Sequence, residues 1–516
     1  MISIDGNHLH IDDIVRVARD FEEVQISSVG LKNVVHSYEL RKKISSSGKA
    51  VYGINTGFGI FANRQIENRD SSKLSRNLII SHAVGTGNPF SPEIVRASML
   101  VRANTLCKGF SGVRPIVVET LVQMLNKNVI PQIPSQGSLG SSGDLAPLSH
   151  LALVFTTDEN DLENESGFAT YQNDLLTGRE AMKKAGIPRI ILEAKEGLAI
   201  NNGATFSAAI AALSIHDTES LITISEASLA LSLEAMLGCA TAFDSRIHEV
   251  RGQLGQAQVA ENVRKYIEGS NLVNSTERIQ DAYSLRCAPQ VQGVARDTLQ
   301  FIRGVVDREI NAATDNPLLF DPGVALSGGN FHGEPIGVVM DFLGIILSEI
   351  ASISERRTNR MTDENLSAGL PPMLVDHPDA AGLNSGLMMP QYTAASLVLE
   401  NQTLAHPDSV FSIPTSAEQE DHNANAMNAS RHTMQILKNV QHVLAIELYT
   451  AARAIDLRLR VYPEGVLGKG TSLVYRRIRQ AVPYQAGDAL WWPEIEKVKK
   501  LIIDEDLGKV LDILSS

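Results

Sequence analysis

Three features of this chain predict a mostly α-helical fold. The segment from Phe206 to Leu237 is rich in Ala, Leu and Ile and contains neither Pro nor Gly. In Ser430 to Arg460 the apolar residues Leu437, Val440, Leu444, Leu448, Ala451 and Ile455 recur in steps of three and four, the spacing of one helix face. Strand signals between such segments are sparse. Helices of this length bury long stripes against one another, so we expect a central long-helix bundle with C-terminal helices over 204–516. Ahead of it, over 1–203, we expect an N-terminal domain of short helices and glycine-rich loops.

Bulk properties narrow the function classes. With 516 residues, 43% of them hydrophobic, the chain can build a large core or two fused subdomains. Forty-six basic against 59 acidic residues give a net charge of −13, which argues against a nucleic-acid or anionic-membrane partner. Cys107, Cys239 and Cys287 are scattered and form no disulfide framework or paired metal-ligand pattern, which suits a reducing cytoplasm. The start of the chain has no basic residues followed by an apolar run, and the apolar stretch Ile336 to Leu347 is short and broken by Asp341, so we expect no membrane association.

In chain order, Ile11 to Glu23 and Gly30 to Ser45 read as short helices. Val51 to Gly59 holds three glycines and reads as an irregular loop displaying Tyr52, which could equally be a core aromatic in a turn. Ser81-His82 precedes a glycine-rich turn. Gly137 to Leu148 follows, with Ser141-Ser142-Gly143 at its centre. This tripeptide can make an electrophile from its own backbone. The Gly143 nitrogen attacks the Ser141 carbonyl carbon and closes a five-membered ring. Loss of two waters, one taking the Ser142 hydroxyl, then leaves a methylidene-imidazolone. Gly143 lacks a Cβ and can fold back, and Ser142 supplies the hydroxyl to be eliminated. Taken alone, the stretch is also ordinary turn chemistry. A phosphate loop is excluded because no Lys-Ser or Lys-Thr follows the glycines.

Asp158 to Gly186 is polar and reads as surface loop with one short helix. Glu196 to Gly203 contains Asn202. Gln280 to Gln290 puts Tyr283 and Arg286 three apart, on one helical face, and an Arg fork suits a carboxylate as well as a structural ion pair. Asn311 to Pro317 reads as a turn. Ser327 to Pro335 is another glycine-rich loop, displaying Phe331. Ile336 to Arg357 reads as a helix interrupted by Gly337 and Gly344. Ile413 to His422 ends in Gln419-Glu420-Asp421-His422, by composition a solvated helix start. No metal site is expected, because consecutive Glu-Asp-His do not share a face and no His-Glu-x-x-His is present.

Taken in order, the Tyr52 loop, Ser81-His82, the Ser142 loop, Asn202-Gly203, Tyr283-x-x-Arg286, Asn330-Phe331-His332 and Gln419 to His422 resemble the aromatic amino acid ammonia-lyases. The match runs from about Tyr52 to Asp456. Glu420-Asp421-His422, Glu334-Pro335 and Phe243 to Glu249 resemble the histidine-type branch. Glu418-Gln419 is similar to some tyrosine lyases and 2,3-aminomutases. Ser141 stands where the family usually has Ala, and Ala204-Thr205, Ala282, Glu418 and Asn423 to Asn428 also depart.

The resemblance implies a 4-methylidene-imidazol-5-one (MIO) formed autocatalytically from Ser141-Ser142-Gly143, with no external cofactor. It implies Tyr52 as the β-proton base, needing a lowered pKa, and Tyr283 as a second catalytic tyrosine. It implies Arg286 on the substrate carboxylate with Asn202 assisting, His82 and Glu420 facing the ring, and Ser81, Gln280, Phe331 and Gln419 binding substrate. The implied reaction is elimination of ammonia from L-histidine to give trans-urocanate, the alternative being a tyrosine or phenylalanine lyase or aminomutase. It also implies a cytoplasmic homotetramer with shared active sites. A fumarase-type lyase is disfavoured, since its Gly-Ser-Ser-x-x-Met-Pro-x-Lys-x-Asn loop is absent. A silent scaffold is disfavoured by the intact Tyr52, Ser142-Gly143 and Arg286.

Overall fold

The structure, a computed structural model, describes residues 1–47, 50–504 and 506–512. The long helices Thr205–Ala235, Glu334–Thr362 and Ala426–Val461 fall close to where the apolar pattern puts them, and Ala288–Glu309 is a further long helix that no sequence expectation named. Thr205–Ala235 is apolar on all sides and almost every residue is buried, as such a helix must be. In Ala426–Val461 the whole stripe from Leu437 to Ile455 is buried. The glycines Gly337 and Gly344 do not interrupt Glu334–Thr362, because burial outweighs their weak helix propensity. That helix is apolar and long enough to cross a membrane by composition, but 72% of its apolar window is buried inside the fold.

Contacts divide the chain into two compact units. One comprises 1–216, 302–341 and 407–431; the other comprises 217–301, 342–406 and 432–516. This division does not fall at the single cut expected at 203/204. The reason lies in the first unit, where the Ser142 loop is held by residues that come much later in the chain. The Gly333 amide donates to the Gly140 carbonyl at 2.8 Å and the Ala426 amide to the Leu139 carbonyl at 3.1 Å.

Strands are short. Thr86–Pro89 pairs antiparallel with Pro134–Gln136, which leads directly into the Gly137 loop and aims it. The segment expected as surface loop over 158–186 contains a hairpin, Phe168–Tyr171 with Asp174–Thr177, which joins Ile130–Pro131 in a three-stranded antiparallel sheet. Its two-residue turn, Gln172-Asn173, has φ of 51° and 69°, the pair of positive values that fits a hairpin's twist. The turn lacks glycine, so its signal was hidden in polar sequence. Ile11–Arg19 and Ser28–Ser46 are helical as expected, the second started by Ser27, whose side chain accepts from the Gly30 amide.

Candidate active site

The first unit contains a cavity of about 1160 Å³. Nine of the residues singled out from sequence line it: Tyr52, Ser81, His82, Ser141, Ser142, Asn202, Phe331, Gln419 and Glu420. Gly143 lies directly behind them.

The Ser141-Ser142-Gly143 backbone is fixed from both sides. Gly143 has φ +81°, and a Cβ there would stand 2.0 Å from the Gly203 nitrogen. Glycine is therefore obligatory, for its conformation and for the close approach. Gly143 and Gly203 form a parallel bridge, and the Asp144 amide donates to the Gly203 carbonyl at 2.9 Å. Asp144 is fully buried below the loop. Its carboxylate accepts from the Ser138 hydroxyl at 2.9 Å and the Ser207 amide at 2.8 Å. Burial pushes the Asp144 carboxyl up, against these hydrogen bonds. Asp144 thus ties the loop to the start of the helix Thr205–Ala235.

Two side chains and one backbone amide address the tripeptide. Asn202 Nδ2 donates to the Ser142 carbonyl oxygen at 2.7 Å, while its own Oδ1 is buried without a partner. The Ser142 hydroxyl donates to Glu420 Oε1 at 2.6 Å. The Ser141 hydroxyl accepts from the Ala424 amide at 3.0 Å. Glu420 itself is half-buried, with Thr415 Oγ1 donating to Oε2 at 3.3 Å. The run Glu420-Asp421-His422 is a loop and not a helix start, since the helix begins at Ala426.

Tyr52 is half-buried, with Phe58 edge-on at 6.4 Å. Burial pushes its phenol up, the Gly59 amide opposes this, and the Glu420 carboxylate adds to it. The lowered pKa expected of a base is therefore not produced by the groups acting on it within this chain. His82 ends the helix Ser71–His82, and Ser81 Oγ stands 3.0 Å from its Nδ1. Burial pushes the His82 imidazole down, more than the Leu78 carbonyl and Glu420 raise it, so it is neutral at neutral pH.

Gln280, Tyr283 and Arg286 do not line this cavity; they belong to the second unit. Tyr283 and Arg286 do share a face, as their spacing predicts, with the guanidinium 4.6 Å from the ring centroid. Arg286 Nε donates to the Asp281 carbonyl at 2.9 Å, and Tyr283 is 70% exposed.

Sequence reasoning did not assign Arg64, Asn77, Asn316, His332 or His422, which also line the cavity. His332 and His422 stack at 6.1 Å. His332 Nε2 donates to the His422 carbonyl at 3.2 Å and its Nδ1 accepts from the Glu334 amide at 3.4 Å. Both histidines sit in runs that were visible, beside Phe331 and Glu420. Arg64 had no such neighbour to mark it.

A sequence model described as aromatic amino acid lyase matches residues 9–480. The histidine ammonia-lyase of Caldanaerobacter subterraneus subsp. tengcongensis is 50% identical over 484 residues, 93% of this chain and 92% of that protein. Among solved structures, histidine ammonia-lyase from Trypanosoma cruzi matches with a TM-score of 0.90 and 35% identity, covering 99% of this chain and 95% of the other. Tyrosine aminomutase from Streptomyces globisporus matches with a TM-score of 0.91 and 32% identity, covering 99% and 98%.

Proposed function

The chain belongs to the aromatic amino acid lyase family, a group of carbon–nitrogen lyases, and from that premise we propose that it eliminates ammonia from L-histidine to give trans-urocanate. The observation that carries this reading is the meeting of Ser142, Asn202, Glu420, Tyr52 and His82 around one cavity.

The residues present fit the MIO group. Position 143 admits only glycine, and the Ser142 carbonyl already has a side-chain donor in Asn202. Closed from Ser141-Ser142-Gly143 with loss of two waters, the group supplies an electrophilic methylidene for the substrate's amine. Asn202 holds the Ser142 carbonyl and draws charge toward its oxygen. Tyr52, as phenolate, takes the β-proton. Because burial and Glu420 work against that charge, the phenolate needs a cation near it. Arg286 of the partner subunit would bring one, and would hold the substrate carboxylate in its fork. Tyr283 and Gln280 of the partner subunit would arrive with it. A homotetramer with shared sites accounts for an exposed Tyr283 beside an Ile279 that is 99% exposed. Glu420 accepts from an imidazole N–H, and neutral His82 offers the ring its second partner. Phe331, Gln419 and Ser81 complete the lining. A half-buried carboxylate needs a donor, which histidine offers and phenylalanine does not. The three free cysteines suit a reducing compartment, the cytoplasm.

The likeness to tyrosine aminomutase favours one second reading, an aromatic 2,3-aminomutase or a tyrosine lyase. Offering L-histidine, L-tyrosine and L-phenylalanine in parallel separates these. Urocanate is the product expected; coumarate or a β-amino acid as main product overturns the histidine assignment. The electrophile is read separately, by mass. The peptide carrying Ser142 should be two waters light, and Ser142→Ala should abolish both the mass loss and turnover.

A further inference from the structure

Glu420 sits on a loop that cannot hold itself. The segment before it turns through Ser416, Ala417 and Glu418, whose φ values are 54°, 52° and 64°. Three consecutive non-glycine residues in the left-handed region are costly, so the turn persists only if its surroundings fix it. Within the turn, backbone pairs with backbone at the Thr415–Glu420 bridge and from the Gln419 amide to the Ser416 carbonyl at 3.2 Å.

Further ties come from side chains. Asp341 accepts from the Asp408 and Ser409 amides at 3.0 and 2.9 Å. Asn425 Nδ2 donates to the carbonyls of Asp408 and Phe411 at 3.0 and 2.5 Å. Asn423 Nδ2 donates to the Ile413 carbonyl, and its amide to the Ser412 hydroxyl at 2.9 Å. Between these asparagines lies Ala424, fully buried, whose amide is taken by the Ser141 hydroxyl. The Ser141 hydroxyl thus ties the loop carrying Glu420 to the tripeptide, and unlike the Ser142 hydroxyl, which reaches Glu420 itself, it is not consumed when the ring closes. An alanine at 141 leaves that buried amide unpaired.

We propose that the Ser141 side chain is a positioning group: by accepting the Ala424 amide it sets where the Glu420 carboxylate stands relative to Ser142. The proposal rests on the lyase reading above, since Glu420 acts on substrate only within it. Ser141's backbone enters the electrophile in any case; its hydroxyl works through Glu420.

The test uses the full-length assembled enzyme as wild type, Ser141→Ala and Ser141→Thr, each alone and combined with Glu420→Gln. The mass of the peptide around Ser142 should show two waters lost in every one, so the electrophile is made. Ser141→Ala should lower kcat about tenfold with KM for L-histidine changed less than about twofold, and Ser141→Thr should recover it. On the Glu420→Gln background the same change should cost nothing further, because the two residues act as one unit. An unchanged kcat, or an equal loss on both backgrounds, overturns the proposal. Should Ser141→Ala fail to mature, Asn425→Gly keeps the left-handed backbone and removes the ties to Asp408 and Phe411; it should show the same coupling to Glu420, and its absence overturns the proposal. A wild type with its two waters lost but no urocanate points instead to failure of the histidine reading. The same ratios are then taken on the amino acid that is turned over. If none is, a crystal structure of Ser141→Ala decides: a Glu420 carboxylate shifted by about 1 Å supports the proposal, and an unmoved one overturns it.

Discussion

Glu447 and Glu420 are both carboxylates drawn out of bulk water, one in each unit. Glu447, in the helix Ala426–Val461, is fully buried and fully satisfied. Ser232 and Ser354 donate to it at 2.7 and 2.6 Å, and Arg357, itself fully buried, grips both oxygens. Nothing is left over for a ligand. Glu420 is only half-buried, and its two protein donors are the Ser142 and Thr415 hydroxyls. Beside it Asn202 keeps a buried oxygen without any partner. A complete polar network fixes a core, whereas an incomplete one holds capacity for something that arrives. The contrast separates residues that specify the fold from residues with hydrogen-bonding capacity left for the proposed chemistry.

The sharpest way to break the contrast is on the reactive side. Tyr52→Phe should lower kcat on the order of 100- to 10,000-fold, the range of a general base, while thermal unfolding stays where it is. Stopped-flow turnover with a parallel melting curve reads both. Near-native kcat would move the base elsewhere. On the structural side, Glu447→Ala strands the Arg357 charge in the core. Denaturant titration should find about 3–5 kcal/mol of stability lost, or no soluble protein at all. A loss as small as a surface substitution would remove Glu447 from the structural class.

Glu420→Gln should be intermediate. Its kcat/KM on L-histidine should fall on the order of 100-fold, with stability changed by less than about 1 kcal/mol. An equal fall on all three aromatic amino acids would mean that Glu420 does not read the ring. The smallest effect is in the pH profile. After burial, the Glu420 carboxylate is a further cause of the raised Tyr52 pKa, and the proposed base acts as the phenolate. Removing that charge lowers the phenol's pKa, so the rising limb of kcat/KM should move to lower pH in Glu420→Gln. A limb that stays still, or moves up, uncouples the two residues.

Sequence by itself determined what is local. The three-and-four spacing from Leu437 to Ile455 gave a helix because periodicity is a property of neighbours in the chain. Ser142-Gly143 pointed to the proposed electrophile because ring closure needs those residue types in that order. Tyr283 and Arg286 share a face because a helical turn brings them together, as it does here at 4.6 Å. The Gln172-Asn173 hairpin was missed because its left-handed residues are not glycines.

Tertiary structure decided what depends on closure over long stretches of chain. Ser142 meets Glu420 across 278 residues, and Ser141 meets Ala424 across 283, pairings that no local pattern encodes. It decided that 302–341 and 407–431 belong with the first 216 residues, because the tripeptide loop needs their amides. It also set the direction of each titration. A phenol's pKa depends on its burial and on which charges come near, and Tyr52 received burial and a carboxylate, which raise it, where a base was expected to have a lowered pKa.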